Sequence, residues 1–184
     1  MAKKSKSSGS PVAMAAFLRG VNVGGKNKVP MAELRAAFES LGHTEVSTYI
    51  ASGNVLFRAA TPAGDIAGPA AAAILKVFKV TSPVVVRTLV ELAGAIEAAP
   101  FEGDESRVLI GFCAAKPKGS PDPARSPHDQ VAVVGREVHL HCPRGVSESK
   151  FTADYLDRTL GTTVTFRNLR TCREVLARLT AMGG

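Results

Sequence analysis

The segment Arg19-Gly-Val-Asn-Val-Gly-Gly-Lys-Asn-Lys-Val-Pro30 packs three glycines, two asparagines and three cations into twelve residues. Glycine lets main-chain N–H groups approach a ligand closely, and Arg19, Lys26 and Lys28 supply positive charge, so the composition suits a loop around an anion. Gly20-x-x-x-x-Gly25-Lys26-Asn27 comes close to a nucleotide-binding P-loop. Such a loop ends in Ser or Thr to hold magnesium and runs straight into its helix. Here Asn27 stands at the hydroxyl position, Pro30 delays the helix, and no apolar strand ending in aspartate offers a second metal ligand. A triphosphatase is therefore disfavoured. Binding of some anion by main-chain N–H groups, a helix dipole and the cations stands against a plain glycine-rich turn with solvated lysines.

A second constellation is Arg167-Asn-Leu-Arg-Thr171, at the predicted start of the last helix. Cations at a helix N-terminus oppose its dipole. Two arginines there call for an anion or a carboxylate nearby, unless both reach solvent or Arg170 pairs with Glu174 one turn on. Ser147-Glu-Ser-Lys150 has the Ser-x-x-Lys spacing of some hydrolases but none of their companion motifs. Ser147 or Ser149 as a helix cap is the simpler reading, with Arg144 and Lys150 adding charge to that loop. His139 and His141 share one face of a predicted strand, near His128 and Asp129. Spacing fixes no third ligand, an exposed polar strand face is the favoured reading of the pair, and no metal site is assigned. Tyr49, Ser52 and Asn54 fall at a predicted hairpin where they could line a pocket.

A chain of 184 residues is one domain or two small subdomains. With 45% hydrophobic residues, 5% aromatics and no tryptophan, the core must be built from Val, Leu, Ile and Ala. The net charge of +7, part of it from Lys3, Lys4 and Lys6, allows anionic partners without demanding them. Cys113, Cys142 and Cys172 are odd in number and far apart, which reads as thiols in a reducing compartment. Residues 1–11 are expected to form a disordered basic tail rather than a secretory signal. No apolar run reaches membrane-spanning length, so a cytoplasmic protein without a membrane partner is expected.

These residues need a scaffold to position them. Residues 12–18 form an apolar run of strand length, buried on both faces. Pro30 suits the first helical position, Met31, Leu34, Phe38 and Leu41 repeat at helical spacing, and Gly42 ends that helix. Strands are expected at 46–50 and 54–58, joined by the Ser52-Gly53 turn, a helix at 70–78 and a buried strand at 84–86. Thr88-Leu-Val-Glu91 is a capping-box signature. A strand at 107–113 leads into a proline-rich connection, 116–127. A hairpin follows, with runs 130–134 and 137–141 about Gly135-Arg136, then a helix at 149–160, a strand at 162–166 and a helix capped by Asn168. The first half reads β-α-β-β-α-β, the split β-α-β, ferredoxin-like order. The second reads α-β-β-β-α-β-α, with no obvious sequence repeat between the halves.

Five passages are distinctive: 17–35, with its Arg-Gly-Val-Asn-Val-Gly-Gly-Lys-Asn-Lys-Val-Pro core, the Thr-Tyr-Ile-Ala-Ser-Gly-Asn-Val-Leu-Phe run of 48–57, and shorter stretches at 83–87, 145–150 and 165–171. Together they closely resemble the bacterial domain of unknown function 1697 family, over nearly everything from Ala13 onward. The resemblance implies a pair of ferredoxin-like halves and no established activity. The family-like positions are Arg19, Asn22, Gly24, Gly25, Lys28, Ser52, Gly53, Asn54, Lys150, Arg167, Asn168 and Thr171. At Leu169 and Arg170 the chain departs from the family's usual Trp-Asn.

The expectation is an α+β protein of two ferredoxin-like (split β-α-β) halves, 12–88 and 89–184, packed as one compact unit behind the tail of 1–11. The leading function is binding of an anionic, phosphate-containing small molecule in a basic glycine-loop cleft. Arg19 and Lys28 would give charge, Gly24 and Gly25 main-chain donors, and Asn22 and Asn54 orientation. Ser52, Lys150, Arg167, Asn168 and Thr171 complete the candidate ligand-binding set. No general base or nucleophile stands out, so catalysis is not assigned, and no cofactor is implied. A nucleic-acid-binding module and a structural or oligomerising protein without ligand are the alternatives.

Overall fold

Val12–Leu18 (β1) carries no hydrophobic alternation because both of its faces are covered. In the computed structural model, which describes residues 10–183, Met14, Ala16 and Leu18 point into one core and Ala13, Ala15 and Phe17 into another. β1 pairs antiparallel with β3 (Asn54–Ala59) and β4 (Val84–Thr88), and β3 pairs with β2 (Thr44–Tyr49), giving the order β2-β3-β1-β4. The outer face of this sheet is covered by α1 (Met31–Ser40) and α2 (Ala67–Phe78), through Leu34, Phe38, Ala70 and Ile74.

A second sheet repeats the arrangement. It contains β5 (Val108–Cys113), β6 (Gln130–Val134), β7 (Glu137–His141) and β8 (Val164–Asn168), in the order β6-β7-β5-β8, again antiparallel throughout. Its outer face packs on Phe151 and on Leu156 and Leu160 of α4 (Ala153–Leu160). Between the sheets lies a shared core. The rings of Phe17 and Phe112 stack there with centroids 4.5 Å apart and planes within 2° of parallel. The same core takes Leu92 and Ala95 of α3 (Leu89–Glu97), and Cys172, Val175 and Leu179 of α5 (Leu169–Gly183). The protein is thus α+β, with helices outside and between two four-stranded sheets.

The two sheets differ where their first crossover runs. β1 leads to β2 through α1, whereas β5 leads to β6 through a connection carrying Pro117, Pro121, Pro123 and Pro127. Proline removes the N–H that a helix needs, and only a short 3₁₀ turn, Pro123–Arg125, forms there. The capping box at Thr88 forms as expected: Thr88 Oγ1 accepts from the Glu91 N–H, and Glu91 Oε2 accepts from the Thr88 N–H.

Several boundaries fall elsewhere than the sequence suggests. α2 begins at Ala67 because Pro69, in its first turn, needs no partner for an N–H it lacks. α4 begins at Ala153, capped by Thr152 and not by Ser147 or Ser149; Ser149 is extended and its hydroxyl accepts from the Phe151 N–H. β8 runs two residues further than expected, which puts Arg167 on a strand instead of at a helix start. The basic tail, up to residue 9, lies outside the described residues. Among those described, no helix is long and apolar enough to cross a membrane.

Candidate functional site

The glycine segment folds as a miniature hairpin. Lys26 donates its N–H to Val23 O at 3.0 Å, and Asn22 donates its own to Asn27 O at 3.0 Å. Gly24 and Gly25 occupy the tip with φ of 57° and 74°, the left-handed pair that a tight hairpin turn demands. A Cβ at either would meet open space, so backbone conformation and not packing requires glycine there. Asn22 clamps the base. Its Oδ1 accepts from the Val29 N–H at 2.8 Å, and its Nδ2 donates to Val29 O and to Ala51 O at the tip of the β2–β3 hairpin. Asn27 Nδ2 closes the other arm onto Gly20 O at 2.8 Å.

This geometry corrects one expectation. The glycines stand at an exposed tip, with the return arm 26–30 between them and α1, so the tip is not the N-terminus of a helix. The amides of Gly24 and Gly25 find no acceptor among the described residues, and Lys26 and Lys28 are exposed without an ion pair. Arg19 is differently placed. Its Nη1 donates to Asp157 Oδ2 at 2.7 Å and to Val164 O at 3.1 Å, tying the end of β1 to α4 and β8.

Arg167 brings the second predicted segment to the first. From β8 its Nη2 donates to Leu18 O at 2.7 Å, Ser52 O at 3.0 Å and Gly53 O at 3.2 Å. Its Nη1 donates to Phe166 O, its Nε to Asn54 Oδ1, and its guanidinium lies over the Phe17 ring. Desolvation lowers its pKa to about 10, which leaves it charged at neutral pH. Asn54 is fully buried and donates to Tyr49 O and Ser52 Oγ. Gly53 has no room for a side chain: a Cβ would lie 2.7 Å from Leu18 Cβ and from Val21 Cγ2. Arg167 and Asn54 therefore spend their polar atoms on the protein itself.

Asn168 caps α5, accepting the N–H of Thr171 at 2.8 Å, and the Thr171 side chain is buried. Carboxylates offset the arginines of that helix: Arg173 pairs with Glu105 at 2.9 Å and Arg170 approaches Asp104 at 3.9 Å. The Arg170–Glu174 pair does not form, because Glu174 binds Arg178. Lys150 borders a separate cavity in the second half. The sequence-predicted set thus divides. Asn168 and Thr171 open α5, and the Arg19 side chain turns to Asp157 and Val164. Ser52, Asn54 and Arg167 are hydrogen-bonded together at the end of β1 and the β2–β3 hairpin, with Asn22 bound to the same turn at Ala51 O and Gly24, Gly25 and Lys28 projecting from that assembly. Lys150 shares no hydrogen bond with it.

Sequence reading missed Arg87. It is buried on β4, where Nε donates to Glu137 Oε1 at 2.9 Å, Nη1 to Val86 O at 3.0 Å and Nη2 to Cys113 O at 2.7 Å. A signal for it existed. Val84-Val-Val-Arg-Thr-Leu89 and Val164-Thr-Phe-Arg-Asn-Leu169 share Val, Arg and Leu at matching positions, and each runs from the last strand of a sheet into a helix.

His139 is also a surprise. It faces the shared core, fully buried, and neither ring nitrogen has a partner among the described residues. The expected exposed polar face is therefore absent, and desolvation lowers its pKa to about 4. Among the described residues no three His, Cys, Asp or Glu side chains are grouped to share a metal ion.

The family model for a protein of unknown function, DUF1697, matches residues 12–139. The chain belongs to the DUF1697 family. The match includes the glycine hairpin, Asn54 and Arg87 but ends before Lys150, Arg167, Asn168 and Thr171, so the resemblance is shown over a shorter span than the motifs suggested. The structure of a conserved bacterial protein, SP0830 from Streptococcus pneumoniae, is similar at a TM-score of 0.65 and 22% identity. That likeness covers 92% of this DUF1697 chain and 99% of the other. At that identity it speaks for a shared fold alone. No curated protein matches the chain.

Proposed function

We propose that this DUF1697 protein binds a phosphate-bearing ligand against its glycine hairpin. One observation carries the reading: the tip offers the unpartnered amides of Gly24 and Gly25 beside exposed Lys26 and Lys28, while Asn22 and Asn27 hold the base rigid. Preorganised amides and nearby cations are what an anion needs, because they need not be reordered when it arrives. Catalysis is not part of the proposal. The hairpin belongs to the first of two ferredoxin-like halves. In support, both sheets have the same strand order, and the second lacks only its first crossover helix.

Thermal-shift titration with inorganic pyrophosphate and a panel of phosphorylated metabolites tests the proposal, since a ligand that prefers the folded state raises the melting temperature. A rise for the native chain that is clearly smaller in the Lys26→Ala/Lys28→Ala double variant supports it. A rise of equal size in both proteins, or none for any compound, refutes it. The projecting shape of the hairpin, with Val23 66% exposed beside its tip and Ile50 51% exposed on the next loop, favours a second reading in which the phosphates belong to a single-stranded nucleic acid. Its affinity would then fall with salt by roughly 0.7 of a log unit per neutralised phosphate for each decade of salt.

A further inference from the structure

We propose a second, independent site in the other half of the molecule: a pocket for a compact phosphate monoester formed by Arg125, Arg144 and Lys150. A cavity of about 260 Å³ opens between the proline-rich connection and the segment joining β7 to α4. Arg125 and His128 line it from the first, Arg144 and Lys150 from the second, with Asp129 and Glu148 as the acids at its wall. Its three permanent cations form no ion pair among the described residues.

Arg125 is prepared for such a ligand. Its guanidinium carbon lies 4.0 Å from the centroid of the Tyr155 ring, and its Nε donates to Lys150 O at 2.9 Å. The stack and that one bond fix the plane of the guanidinium and leave both terminal nitrogens without an acceptor among the described residues, a fork suited to two oxygens of one phosphate. Tyr155 is held in turn, its hydroxyl accepting the Asp122 N–H at 3.1 Å. Ser126 joins the two walls: it donates to Asp129 Oδ2 at 2.6 Å and accepts the Lys150 N–H at 3.2 Å. One acid is thereby occupied, and Lys150 meets a serine through its main chain, with its ammonium left for the pocket. The volume admits a phosphate and a small organic group.

Isothermal titration of the whole chain with inorganic phosphate and with glycerol phosphate tests the site. Saturable binding is expected, with glycerol phosphate at least as tight as phosphate. Arg125→Gln should weaken it about tenfold or more, the loss of a charged bidentate contact. Tyr155→Leu, which touches no ligand but frees Arg125, should weaken it several-fold while circular dichroism shows a folded chain. Lys26→Ala/Lys28→Ala should leave this binding unchanged, separating it from the glycine hairpin. The proposal is overturned if neither compound saturates by about 10 mM, if folded Arg125→Gln binds as the native chain does, or if only the hairpin variant loses binding.

Discussion

Arg87 and Arg167 hold the two sheets together reciprocally. Each is the fourth residue of the last strand of its own sheet, and each crosses to the other. Each donates Nη2 to the carbonyl that ends the first strand opposite, Cys113 O for Arg87 and Leu18 O for Arg167. Each donates Nε to the first residue of the third strand opposite, Glu137 or Asn54. Each returns Nη1 to the carbonyl one residue back and lies over a phenylalanine, Phe112 or Phe17, of the central stack. The contacts are related by an approximate twofold, broken in one respect: Arg87 meets a carboxylate and Arg167 an amide.

That break predicts unequal costs. Arg87→Met strands Glu137 in a site only 13% exposed, and urea unfolding should show a loss of about 3–5 kcal/mol, the price of an unpaired buried charge. Adding Glu137→Met should restore most of it. Arg167→Met leaves only neutral groups unpaired and should cost about 1–3 kcal/mol. Equal losses for the two single variants would contradict this account.

Glycines at the two neighbouring turns should respond differently to alanine. Gly53→Ala combines a φ of +81° with two contacts at 2.7 Å and should destabilise by about 2 kcal/mol or more. Gly24→Ala meets no atom within 4 Å and should cost about 1 kcal/mol, from its left-handed backbone alone. Denaturant midpoints at constant m-value measure both.

His139 makes stability depend on pH with a definite sign. Its folded pKa, about 4, lies below the unfolded value near 6.5, so between them the unfolded chain binds more protons. Its contribution is complete above pH 6.5 and is lost as pH falls toward 4, by up to about 3 kcal/mol. His43, also lowered by desolvation, acts in the same direction. His139→Leu removes two unpaired buried nitrogens and should flatten the stability profile in this range; an unchanged slope would remove His139 as its cause.

The three thiols should be inert in the folded chain. Burial raises the pKa of Cys172 to about 12 and that of Cys113 to about 11, and raises that of Cys142 as well. With little thiolate and no exposure, none should react with an aromatic disulfide reagent on the timescale of a free thiol, while all three should react in denaturant. One fast thiol without denaturant would show that its environment is open.

The strand and helix order was legible because each element carries its own local signal. The helical spacing of Met31, Leu34, Phe38 and Leu41, the capping box at Thr88, the turns at Gly53 and Gly135 and the prolines between β5 and β6 act over a few residues. The long N-terminal motif likewise pointed to the family. The helix start after Lys150 was misread because Ser149 and Thr152 are both chemically able to cap, and only the extended backbone at Ser149 chooses between them.

The candidate site was legible in its membership more than in its use. Sequence composition marks Arg19, Asn54 and Arg167 as polar residues with chemical capacity, but not whether that capacity is spent. Both arginines donate to acceptors more than a hundred positions away, as Arg19–Asp157 and Arg167–Asn54 show, while Asn54 spends its own donor on Tyr49 O and Ser52 Oγ of its hairpin. Lys26, Lys28 and the amides at the hairpin tip stay free because a left-handed glycine pair turns the chain outward. Local residue chemistry determined the elements, their order and the family of this chain. Which cations became cross-sheet struts, and which remained available to a ligand, was decided by the tertiary structure, because hydrogen-bond satisfaction depends on neighbours that only folding supplies.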